Sequence, residues 1–193
     1  MDLPWDDRRT RQFVTNVGLI TSYGQAGANV MAAEWTHHVS YLPSLIIVNV
    51  RGNDTTAENI MESEEFGVNL AAEDQSIFSS IAGKFTGRQV DKKAVLEEMG
   101  AVFYPGKKIK APMMKGAAMN AECKLVKQEE LGDHIMFVGE AVEISADEKI
   151  RPLLYHNGKY WKIGDNISKP PQTVLDKINQ LMEKHRRLEL KTK

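Results

Sequence analysis

Between Gly27 and Asn53 the chain reads GANVMAAEWTHHVSYLPSLIIVNVRGN, and this stretch limits the possible folds more than any other. Two β-forming runs are separated by a Pro43-Ser44 break, the pattern of a hairpin in a β-barrel. Leu45 to Val50 is short and apolar, which predicts a strand buried on both faces. Ahead of Trp35, Ala32 and Ala33 put almost no side-chain bulk on the backbone of residues 29–33, so a flat ligand can come close. After Val50 the chain enters Arg51, Gly52, Asn53, Asp54, Thr55 and Thr56, a segment rich in hydrogen-bond donors.

Strand signals continue on both sides. Phe13 to Tyr23 reads as a β segment, and Gly24 to Gly27 as the turn that makes it a hairpin with the following strand. Phe66 to Leu70 is a further strand, and Ala101 to Tyr104 a short one before a basic, proline-broken connection to Gly116. Ala117–Glu129 and His134–Ile144 read as two long strands joined by a turn at residues 130–133, with Gly139 as a bulge where the second bends. Asn157-Gly158, between β-formers, predicts a type I′ hairpin.

Helices are fewer. Asn53 or Asp54 is placed to cap one that begins at Thr55; Asp74 to Ala82 predicts another with Ile77, Phe78 and Ile81 inward, and Val95, Leu96 and Met99 mark a short third. From Pro170-Pro171 to about Leu188 a last helix carries Val174, Ile178, Leu181, Met182 and His185 on one face. The expectation is a mainly β barrel with a few peripheral helices, one domain over residues 1–193. It has an arm at 1–12 that docks through Trp5 and a helical tail at 170–193.

Charge narrows the function. With 25 basic against 26 acidic residues, the chain has no general attraction for nucleic acid or an anionic membrane, so any anion site must be local. The helix start at Thr55 behind Arg51 is such a place, because free backbone N–H groups, hydroxyls and a guanidinium converge there. The segment from Gly83 to Lys93 adds Lys84, Arg88, Lys92 and Lys93, which by charge alone read as a solvated loop. The single Cys123 forms no internal disulfide and reads as a buried thiol in a reducing, cytoplasmic compartment. No secretory signal and no apolar run long enough to span a membrane is expected. His37 and His38, adjacent on a strand, point to opposite faces, which argues against a metal. The glycines lack the G-x-G-x-x-G spacing of a dinucleotide-binding turn.

The order Asn29-Val30-Met31-Ala32-Ala33, Ser40 with Pro43, the strand to Val50, Thr56, Asn59 and Phe66-Gly67-Val68-Asn69 resembles the flavin reductase-like family of FMN-binding split barrels. The resemblance ends with Tyr155 to Tyr160 and covers roughly residues 10–165. It implies a Greek-key-like split β-barrel that binds FMN, with the isoalloxazine against the backbone of Asn29, Val30, Met31, Ala32 and Ala33. Alanine at 32 departs from the hydroxyl residue often found there and removes a side-chain hydrogen bond. Further cofactor contacts are implied for Ser40, Asn49, Arg51, Asn53, Thr55 and Thr56, with Lys84 and Arg88 as helpers at the phosphate.

Catalysis then needs no acid or base from the protein; His156 either meets a nicotinamide or caps its turn. Two roles remain open: an oxidoreductase passing electrons from NAD(P)H to free flavin, ferric iron or another acceptor, and a flavoredoxin-like carrier serving a redox protein. A homodimer with the cofactor near the interface is implied. Its apolar C-terminal helix face is covered either by the chain's own barrel or by the partner.

Overall fold

The computed structural model describes residues 1–4, 7–25 and 27–186. The chain divides into two compact units, Met1–Ile163 and Gly164–Lys193. The first carries strands β1 (Thr15–Asn16), β2 (Gly18–Gly24), β3 (Gly27–Ala33), β4 (Thr36–Tyr41) and β5 (Ser44–Arg51), then helix α1 (Thr55–Ser63) and β6 (Glu65–Leu70). Helices α2 (Ser76–Ala82) and α3 (Lys92–Glu98) follow. Next come β7 (Phe103–Pro105), β8 (Pro112–Met114), β9 (Met119–Leu131), β10 (His134–Ala146), β11 (Leu154–His156) and β12 (Lys159–Trp161). The second unit holds α4 (Gln172–Lys184), whose Val174, Ile178, Leu181 and Met182 are exposed. The expected docking through Trp5 and the helix end at Leu188 lie outside the described residues.

Seven antiparallel strands pair in the order β3-β2-β6-β9-β10-β5-β4. The two rim strands, β3 and β4, are separated in the chain only by Glu34 and Trp35. A sheet whose opposite rims are joined by two residues must curl until they meet, so it is a barrel. Asn49 N donates to Trp35 O (3.0 Å), which carries the β4–β5 ladder one residue past Thr36 into that link. Inward residues Ile20, Val48, Val50, Phe66, Val68, Cys123 and Phe137 form one core, and α1 closes it with Ala57 and Ile60. A second core lies on the outer side of β2 and β3, where Leu19 and Val30 meet Ala82, Leu96 and Leu153, with Phe78 and Ile81 packed against them. The alternation of β2 serves both: Ile20 points into one core, Leu19 into the other.

Several expectations need correction. The 27–53 stretch forms three strands, not two, because the chain also turns at the seam before Trp35. β5 is buried on one face only: Ile46, Val48 and Val50 face the core, while Leu45, Ile47 and Asn49 on the outer face are half-buried. Phe13 and Val14 are exposed, since the first strand breaks at Val17 to serve two sheets. Ile77 also faces outward; Ser79 and Ala82 fill the buried side of α2. The proline-broken connection contains β8, paired with β7 in a ribbon whose last pair is Pro105 with Pro112, where neither residue has an N–H to donate. The bulge at Gly139 is present, and Asn157 (φ 51°) with Gly158 (φ 72°) makes the expected turn.

Candidate functional site

The β2–β3 pairing places Asn29 beside the first turn of α1, where its Nδ2 donates to Thr56 Oγ1 at 2.8 Å. Both side chains are buried, Asn29 at 4 % and Thr56 at 1 % exposure. Asn29 Oδ1, however, has no hydrogen-bond partner. A buried carbonyl oxygen left unpaired costs free energy and can be satisfied only by a donor. Asp54 caps α1 without a side-chain bond, and the first intrahelical bond runs from Glu58 N to Asp54 O. The amides of Thr55, Thr56 and Ala57 precede that bond and carry the positive end of the helix dipole.

The 83–88 segment crosses this turn. Thr86 Oγ1 lies 3.0 Å from Thr55 Oγ1, and Arg88 Nη1 donates to Asn53 O at 3.2 Å. Arg88 also pairs with Glu58. Gly87 is required there: a Cβ at this position would stand 2.5 Å from Asn29 Oδ1 and 3.1 Å from Thr55 Cγ2. Phe85 takes a left-handed backbone (φ 52°) at the crossing. Sequence reasoning counted Lys92 only as one more loop cation, yet it is buried at 4 % exposure with Nζ donating to Ala82 O at 3.0 Å. Burial pushes its ammonium down to about 8, against the opposing pull of Asp54. No local pattern distinguishes a buried lysine from its neighbour Lys93, which stays in a solvent-facing pair with Glu97.

The remaining expected residues are spread more widely. Val30 is fully buried in the second core and Ala33 in the first, so the small size of Ala33 serves packing. Met31 is half-buried against the barrel core, and Ala32 lies under α2, 3.7 Å from where a Cβ on Gly83 would stand. Ser40 pairs with Leu45, and Asn49 with Met136. Arg51 lies near the β9–β10 turn: His134 holds the Asp133 carboxyl below its usual range, and Arg51 adds a smaller pull. Lys84 lines a groove of about 410 Å³ between α2, α3 and Tyr160. His156 Nδ1 lies 3.3 Å from Phe13 O, and the His156 carbonyl takes the Trp161 indole N–H at 2.9 Å. An aromatic pair not singled out from sequence, half-exposed Trp35 over His134 (ring centroids 4.7 Å apart), stands at the seam. Their separation of about a hundred positions hid it.

Cys123 is buried, and burial with the nearby Glu122 pushes its thiol up to about 12, which makes it a poor nucleophile. Among the described residues, no three His, Cys, Asp or Glu side chains are grouped to hold a metal ion. None of the described helices is long and apolar enough to cross a membrane.

Residues 10–164 match the family model of the flavin reductase like domain. An uncharacterised protein of Pyrococcus abyssi is 31 % identical over 63 % of this chain and 68 % of its own length. An NADH:FMN oxidoreductase of Rhodococcus qingshengii is 27 % identical, covering 80 % of this chain and 77 % of that protein. Among solved structures, the flavoredoxin of Desulfovibrio vulgaris is 26 % identical with a TM-score of 0.74, covering 88 % of this chain and 97 % of that one.

Proposed function

The chain belongs to the flavin reductase-like family, and from that membership we propose that it binds FMN and works as an NAD(P)H-dependent oxidoreductase of the cytoplasm. The observation that carries the reading is the family match over residues 10–164, and the open first turn of α1, beside a segment that supplies hydroxyls and cations, supports it. These residues fit a phosphomonoester. Thr55, Thr56 and the helix amides would bind its oxygens, and Lys84, Arg88 and buried Lys92 would balance its charge. The backbone of residues 29–33 would lie along the ring. Asn53 takes part through the carbonyl that fixes Arg88.

Bound flavin would accept a hydride from reduced nicotinamide and pass electrons to free flavin, ferric iron or another acceptor. The protein binds, orients and tunes, and this division explains why no acid–base pair is needed at the site. The likeness to a flavoredoxin supports a second reading, an electron carrier for a redox protein with little nicotinamide turnover. Release of the ligand by denaturation and its identification by mass tests the cofactor; a colourless protein that takes up no added FMN sinks the proposal. NADH and NADPH oxidation with and without added FMN separates the two roles. Turnover that rises with free FMN is expected for the reductase.

A further inference from the structure

We propose that the groove between α2 and α3, whose lining shares only Lys84 with the residues read for FMN, binds a small organic acid with an apolar body. Its volume of about 410 Å³ lies within the range of pockets that take small molecules. Ile77 and Ile81 of α2 and Val95 and Met99 of α3 supply apolar walls, and Tyr160 completes the lining. Lys84 is the one charged residue there, and no carboxylate joins it. The Tyr160 hydroxyl donates to Ser79 Oγ at 3.0 Å and the Ser80 hydroxyl to Ser76 O at 3.0 Å, which leaves the Lys84 ammonium to meet the acid group.

The packing of α2 points the same way. This helix buries Ser79 and Ala82 and leaves Ile77 56 % exposed, the reverse of what the burial of apolar area favours. The bond from Tyr160 to Ser79 holds the helix in that rotation. On α3, Met99 is 53 % exposed and Val95 is also in view. An apolar body laid along the groove covers all three, and its negative end meets the only charge in the lining.

The test uses 2-naphthoate as the probe and its neutral amide, 2-naphthamide, as the control, each titrated calorimetrically into the full chain with and without saturating FMN. Saturable one-site binding of naphthoate is expected, undisturbed by FMN or NAD+ and tighter than binding of the amide. Ile77→Glu and Met99→Glu, made separately at exposed positions on opposite walls, should each weaken naphthoate at least about tenfold by setting a like charge against it. Lys84→Met should narrow the preference for naphthoate over the amide about three- to fivefold, the factor for a solvent-facing ion pair. The proposal is overturned by a wild type that shows no saturable binding, by displacement with FMN or NAD+, or by an unchanged preference in Lys84→Met. Unchanged affinity in both glutamate variants, with the native circular dichroism spectrum retained, overturns it too. A lower sedimentation mass for Met99→Glu than for the wild type would give the groove to a second copy of the chain and overturn it as well. A chain that takes up no FMN refutes the FMN reading and leaves this test as it stands.

Discussion

Lys92 carries an ammonium into a place almost without solvent, with one carbonyl as its hydrogen-bond acceptor. Burial lowers its folded value from the ordinary 10.5 to about 8. Between these limits the unfolded chain holds a proton that the folded chain has released, so stability rises with pH across that window. Below about 8 both states are charged, and the full penalty of the buried charge stands. The gap corresponds to about 3 kcal/mol. Urea unfolding from pH 7 to 10 should therefore show the wild type gaining up to about 3 kcal/mol relative to Lys92→Met. Parallel profiles for the two proteins would remove the charge from that site. At this scale the sequence was only partly legible. Asn29 and Thr56 stood out through a resemblance in motif order. Lys92 did not, because its burial depends on α2, α3 and α1 meeting, which no window of neighbouring residues encodes. Glu65 and Glu122 are similar: both are buried, and Glu122 takes the backbone N–H groups of Lys107, Lys108 and Ile109, a role that reads in sequence as surface charge.

Elements defined by local backbone chemistry were the easier ones to foresee. Asn157-Gly158 satisfies two successive positive φ angles, and its hairpin follows from those two residues alone. Gly139 is legible for a related reason: a strand this long must bend to stay in a barrel, and glycine is where it can. Its lack of a side chain is also a packing requirement, since a Cβ there would stand 2.6 Å from Phe66 Cζ and 2.7 Å from Cys123 Cβ. Gly139→Ala should thus destabilise the protein by about 1–3 kcal/mol, read as a lower urea midpoint with an unchanged slope. A midpoint equal to that of the wild type would show that the bulge relaxes freely. β5 was misread because an apolar run does not say whether its second face is covered, and here Leu45, Ile47 and Asn49 remain half-buried. The β7–β8 ribbon was missed because prolines at both ends look like breaks, although they occupy terminal positions that need no ladder N–H.

The described residues leave large apolar groups in view. Tyr41 and Leu42 at the β4–β5 turn are at least 90 % exposed, and α4, in its own unit, presents an apolar stripe to solvent. From these faces we propose a two-fold homodimer. Sedimentation equilibrium across a wide dilution range should give twice the chain mass, with dissociation accompanied by loss of FMN. A monomer that keeps full FMN occupancy at every concentration refutes a cofactor site shared between subunits. The family and its barrel were legible from the order of short motifs. The closure was not, because it depends on which strands end up as rims. That seam bears on how the chain reaches its native state. Glu34 and Trp35 span the gap between first and last staves of the hoop, so drawing the rims together sacrifices almost no chain entropy. The expensive encounters lie elsewhere, where β6 and β10 must find β2 and β5 across dozens of intervening residues, and it is there that the search for this topology is slow.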